Sequence, residues 1–176
     1  MQRHELEHLI RAAARITDEY DFVVVGSQSI LGSLQRPPAE CTMSDAADIF
    51  PMHAEDKADI IDGAIGEGSQ FHETYGYYAQ GVDSSTAILP AGWRDRLVRL
   101  QSAATDGRVA YCLDMLDLFL SKCAANREKD RVFNRALLVH GYVRVDDALV
   151  RLADMPLNHE RKAAIESLIR RLSTDA

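Results

Sequence analysis

The run Asp21-Phe22-Val23-Val24-Val25-Gly26-Ser27 constrains the fold more than any other segment. Four consecutive apolar residues, three of them β-branched, read as a strand buried on both faces, since a half-wet strand would alternate. Gly26-Ser27 ends the run in a turn, and Gln28–Leu34 begins a short helix that Pro37-Pro38 closes in a loop. A buried strand needs a sheet to pair with and helices to cover it. The rest of the chain has to supply them.

The patterning does so. Leu6, Leu9, Ile10, Ala13 and Ile16 sit at helical spacing over residues 4–19, and Ala58, Ile61 and Ile65 share one face of a helix that ends at Gly66 and Gly68. A second strand is expected over Ala46–Phe50, closed by Pro51. Thr74–Val82 and Ser85–Pro90 read as two strands of a hairpin, Trp93–Leu100 as a short basic amphipathic helix, and Arg108–Leu113 as another strand. Helices follow over 114–126, 128–140 and 145–173, the last broken around Pro156. The expectation is an α/β (α+β) protein: a small mixed sheet with helices in 1–112 and a helical part in 113–176, the two forming separate units or one compact domain.

Bulk properties narrow the function. A net charge of −7 over 176 residues argues against broad capture of nucleic acid or of an anionic membrane. No apolar run approaches the roughly 20 residues of a membrane span, so no membrane partner is expected. The charged start Met1-Gln2-Arg3-His4-Glu5 lacks a secretory apolar core. Cys41, Cys112 and Cys123 are odd in number and widely spaced, which suggests reduced thiols and a cytoplasmic protein. His4-Glu5-Leu6-Glu7-His8 matches the zinc-protease spacing, but it opens the first helix, where a solvated helix start is the plainer reading.

Two other segments carry chemistry. A Gly-Ser turn after a strand offers backbone N–H groups and a hydroxyl to a phosphate with no side chain in the way. Downstream, Met43–Pro51 places Asp45 and Asp48 on or beside a strand. Residues 46 and 48 of that strand share a face and Asp45 lies on the other, so Asp48 stands alone unless a bulge turns Asp45 inward. Carboxylates beside a phosphate cradle suit Mg²⁺, which bridges acids and phosphates.

This order, Val23-Val24-Val25-Gly26-Ser27 followed by Ser44-Asp45-Ala46-Ala47-Asp48, resembles motif I of the DNA polymerase β-like nucleotidyltransferases. With Asp117, Lys122, Arg127, Lys129 and Asp130 in sequence behind it, the stretch over approximately 20–140 is similar to the AbiEii/MenT-like toxin nucleotidyltransferases and their uncharacterised relatives. The resemblance implies the minimal nucleotidyltransferase fold, an NTP substrate, Mg²⁺ or Mn²⁺, an acceptor hydroxyl on a tRNA 3′ end or a protein, and a cognate antitoxin. By position, Gly26 and Ser27 would meet the triphosphate, Asp48 the metal and Lys122 a phosphate, with Arg127 facing the same pocket. Asp117 and Asp130 would orient Lys122 or assist the nucleophile. One position departs: Ala46 stands where relatives carry an acid, through engineering or natural degeneration, and weak or absent activity is expected. Asp83 and Asp114 are candidates for a further metal-facing acid. The competing expectation is a non-catalytic nucleotide-binding or interaction protein, such as a degenerate member or an antitoxin.

Overall fold

In the computed structural model, which describes residues 1–174, β1 (Asp21–Val25) is the middle strand of a five-stranded sheet. Its neighbours are β2 (Ala46–Pro51), antiparallel, and β5 (Val109–Cys112), parallel. Outside these lie β3 (Tyr78–Gly81), parallel to β2, and β4 (Val98–Leu100), antiparallel to β5, giving the order β3-β2-β1-β5-β4. Phe22, Val23, Val24 and Val25 are all buried, as the unbroken apolar run requires.

Alternation divides the sheet's side chains between two layers. Phe22, Val24, Ala47, Ile49, Ala110 and Cys112 share one face by register. There α2 (Ile30–Ser33) comes so close that a Cβ on Gly32 would lie 2.5 Å from Cys112 Cβ. Also on the N-terminal side, α1 (Arg3–Thr17) buries Leu6, Leu9, Ile10 and Ala13 and packs on α3 (Ala58–Ile65), which in turn packs on β3. Toward the other face, which carries Val23, Val25 and Asp48, stands α5 (Met115–Ala125). Behind it are α6 (Glu128–Val139), α7 (Val145–Leu152) and α8 (His159–Thr174). One apolar cluster runs from Leu6 through the strands to Leu172. Among the described residues no helix is long and apolar enough to cross a membrane.

Two expected elements are replaced. The hairpin does not form: its first strand is present over Tyr78–Gly81 but pairs with β2, Thr74 and Tyr75 instead end a short helix, α4 (Gln70–Tyr75), and Ser85–Pro90 is not a strand. Ser69 Oγ accepts the His72 N–H at 3.2 Å and Gly76 ends the helix with φ of 78°, so local capping outweighs the β-propensity of the aromatic residues. After β3 the chain turns at Asp83, whose carboxylate accepts the Ser85 N–H and hydroxyl, and crosses the sheet end as a strap over residues 82–92. Likewise, Trp93–Leu100 is a single 3₁₀ turn followed by β4. Val98 and Leu100 alternate with exposed Arg99, which suits an edge strand.

The strap is fixed at both ends. Near its start Glu55 accepts the Ser84 N–H at 3.0 Å and pairs with Arg94 at 3.0 Å. At its far end the Ala91 N–H donates to Asp154 O, and Arg96 grips Asp117 Oδ2 at 2.9 Å and Oδ1 at 3.2 Å. Asp117 is fully buried on α5 and also accepts Arg151 Nη1 at 2.8 Å, so one carboxylate ties strap, α5 and α7 together. Removing it leaves Arg96 with only Ala91 O at 3.0 Å and Arg151 with only Asp114 at 3.7 Å. Asp117→Ala is expected to lower the unfolding free energy by about 3–5 kcal/mol, read as a reduced urea midpoint.

Candidate functional site

The site forms where β1 ends. Antiparallel register sets Val25 opposite Asp48, so Gly26 lies against the Asp48 side chain. Gly26 has φ of 65°, and a Cβ there would sit 2.2 Å from Asp48 Oδ2. Both the backbone conformation and the approach of the carboxylate require glycine. Ser29 Oγ donates to Gly26 O at 2.8 Å and secures the turn.

Lys122 reaches this turn from α5. Its ammonium donates to Ser27 Oγ at 2.8 Å and to Asp130 Oδ1 at 3.0 Å, and it lies 4.3 Å from the Phe133 ring centroid. The sharp link between α5 and α6 makes this possible. Asn126 takes the left-handed conformation with φ of 52° and ends α5, and Asp130 caps α6 by accepting the Arg127 N–H at 3.2 Å. The same carboxylate takes Arg127 Nε at 2.6 Å and Nη2 at 3.2 Å. Asp130 thus holds both cations, while Asp117, taken by Arg96 and Arg151, does not orient Lys122. Five residues along a helix turn a side chain about 140° away, which puts the two groups on different sides of α5.

Charge and burial set the protonation states. Burial pulls the Lys122 ammonium below its usual pKa, against the opposing effect of its hydrogen bond to Asp130. Burial would raise Asp130, but hydrogen bonds from Arg127 and Lys122 outweigh it and hold the carboxyl below the usual range. Asp48 is the reverse case. Burial raises it, and Lys122, Arg127 and Lys129 only partly offset this through space. The Asp48 carboxylate accepts no hydrogen bond from, and makes no ion pair with, another described residue. Cys41 and Cys123, close by, are pushed up to about 12 by burial and are not thiolates at neutral pH.

Gly26, Asp48, Lys122 and Arg127 all line one cleft of about 390 Å³, bounded by β3, the strap and α5. Ser27 adjoins it through its bond to Lys122. Asp45 does not take part: it is exposed, precedes β2 and leaves a continuous ladder with no bulge to turn it inward. Ala46 shares the face of Asp48, across from Tyr78. Asp83 is held by Ser85, and Asp114 caps α5 by accepting the Leu116 and Asp117 N–H groups. Neither lines the cleft. His8 of the zinc-like spacing hydrogen-bonds Tyr77 at 2.8 Å within an aromatic cluster. Gln80 had no marker in the sequence. Only the β2–β3 register sets it beside Asp48 on the same face.

These donors do not make a resident metal centre: among the described residues no three His, Cys, Asp or Glu side chains converge. Asp48 alone offers one carboxylate, which suits a divalent cation only where oxygen ligands from outside the protein complete its shell.

Residues 4–155 match the family of nucleotidyltransferases of unknown function (DUF6036). The chain belongs to this family. No curated protein and no solved structure matches the chain. The mixed sheet flanked by helices, with helices completing the C-terminal part, is consistent with a nucleotidyltransferase fold.

The two acids give opposite pH responses. A carboxyl whose folded pKa is raised destabilises the fold above its unfolded value near 3.8, and that cost disappears as pH falls below both values. A lowered one stabilises above that value, and the gain is lost as pH falls through its folded pKa. Asp48→Asn is therefore expected to raise the melting temperature at neutral pH, with the gain shrinking in acid. Asp130→Asn is expected to lower it at neutral pH, with the deficit shrinking in acid. Melting curves across pH 2–7 check both signs.

Proposed function

We propose that the cleft binds the phosphates of a nucleoside triphosphate and that the transfer reaction of the family is weak in this chain because Asp48 is the single carboxylate on the metal-facing side. The observation behind this reading is a half-buried, unpartnered carboxylate facing two cations across a Gly-Ser turn. Phosphate oxygens suit the Lys122 and Arg127 donors, and Gly26 leaves room for them. Asp48 then meets the Mg²⁺ or Mn²⁺ that the nucleotide carries, which neutralises charge on the phosphates.

The reaction follows the resemblance to AbiEii/MenT-like toxin enzymes. A hydroxyl oxygen of an RNA, such as a tRNA 3′ end, or of a protein bonds to the α-phosphorus. The bond from that phosphorus to its bridging oxygen breaks, pyrophosphate leaves, and the hydroxyl proton passes to a base. One carboxylate cannot serve fully as both metal ligand and proton acceptor. A Glu at 46 would share its face. The cellular setting in this reading is cytoplasmic, with a cognate antitoxin as partner.

Ala46 favours a second reading, a nucleotide-binding module without turnover. The two separate in one experiment with labelled NTPs, total RNA and cell protein. Ala46→Glu is expected to raise labelling by roughly tenfold or more, and Lys122→Ala to abolish nucleotide binding. Binding lost in Lys122→Ala with no labelling by Ala46→Glu identifies the binding module. Binding unaffected by Lys122→Ala rejects both.

A further inference from the structure

The charged groups account for only part of the cleft. The rest of its lining comes from the strap, with Val82, Ala87 and Ile88, and from α5, with Ala124 and Ala125. The polar side chains among these surfaces are Gln80, Thr86 and Ser121, all neutral. None of the three side chains hydrogen-bonds another described residue, so their donors and acceptors are free to meet a ligand. The strap that carries Thr86 and Ile88 is tied down at Glu55 and, through Arg96, at Asp117. Its side of the cleft is therefore formed before any ligand arrives.

A ligand suited to this lining is neutral and largely apolar, with a polar edge that both donates and accepts. It must also connect to a group that Lys122, Arg127 and Asp48 would hold. A lipid chain would leave three polar side chains unsatisfied. An acidic peptide or a second phosphate would lack cations, since the lining away from Lys122 and Arg127 has none. A nucleobase joined through ribose to phosphate meets each condition, and the cleft volume lies within the usual range for small-ligand sites.

We propose that the strap and the small-residue side of α5 form a nucleobase slot, in which Ser121, Thr86 and Gln80 select the base. This rests on the phosphate reading above. Ala124 and Ala125 are small because larger side chains there would occupy the slot. Ala125 is also exposed, so a change there tests the slot without disturbing the core.

The test is calorimetric titration of the full chain with ATP, GTP, CTP, UTP and inorganic tripolyphosphate, each with Mg²⁺. At least one NTP is expected to bind roughly tenfold more tightly than tripolyphosphate. Ala125→Leu is expected to bring that NTP down to the tripolyphosphate level while tripolyphosphate itself changes by less than about twofold. Ser121→Ala is expected to change the ranking of the four NTPs. Equal affinity of the wild type for NTPs and tripolyphosphate overturns the slot and leaves the phosphate site standing. So does NTP binding that Ala125→Leu leaves untouched, and an unchanged ranking in Ser121→Ala removes base selection by that residue. Binding of neither ligand class overturns the phosphate reading and the slot with it.

Discussion

The buried ammonium of Lys122 is the interaction on which the arrangement of sheet and helices depends. An ion of that size withdrawn from water costs several kcal/mol unless its hydrogen bonds are replaced. Here Ser27 from the sheet end, Asp130 from α6 and the Phe133 ring replace them. These partners come from two separate parts of the chain, the turn after β1 and α6, so the group on α5 is satisfied only when that turn, α5 and α6 are in place together. The same requirement positions the site. The amino group that joins the helical part to the sheet also lines the cleft beside Gly26 and Asp48.

Two buried carboxylates divide the labour around α5. Asp130 serves the cleft, gripping Lys122 and Arg127 while capping α6. Asp117 serves the frame, joining Arg96 after the strap and Arg151 on α7. Both are fully buried, and both are compensated by two cations, which is the condition under which a buried ion is tolerable. Through Arg96, Asp117 still reaches the cleft indirectly, because the strap it holds forms part of the lining. Its place in an Asp-x4-Lys spacing is thus explained by architecture, with no contact to Lys122.

What could be read in the sequence was what is encoded locally. Phe22–Val25 had to be a doubly buried strand, and Gly26-Ser27 had to turn, because four apolar residues and a glycine leave little else. The four C-terminal helices follow apolar spacing, and they form with the break near Pro156. The failures came where a distant partner decides. Tyr78–Gly81 pairs parallel with β2 instead of folding back on its neighbour, and nothing in residues 74–90 specifies that partner. Gln80 became a cleft residue through that pairing alone. The Gln70–Tyr75 helix is different: Ser69 before it and Gly76 after it are start and stop signals that the run of aromatic residues obscured. Helical geometry also separates Asp117 from Lys122, since five residues turn two side chains about 140° apart.

Asp48 is where local and global demands conflict. Strand register aims it into the cleft, Gly26 makes room for it, and burial works against its charge without a hydrogen bond to compensate. A residue serving only stability would be asparagine or an apolar side chain here, which would carry no charge into the buried position. Ala46 on the same face shows the alternative: a small apolar residue that the strand accommodates without difficulty. On that face Asp48 is thus the one carboxylate of β2, next to an uncharged Ala46. Natural sequences break local rules mainly at functional sites, where an external partner supplies the missing interaction. For Asp48 that partner must be cationic or carry a proton, and it must fit beside Lys122 and Arg127, whose own positive charges repel a free cation. A cation already bound to phosphate escapes that repulsion, because the phosphates present negative charge to Lys122 and Arg127 while the metal faces Asp48. Under the proposed function, the charge pattern of the cleft thus suits a metal–nucleotide complex better than either component alone.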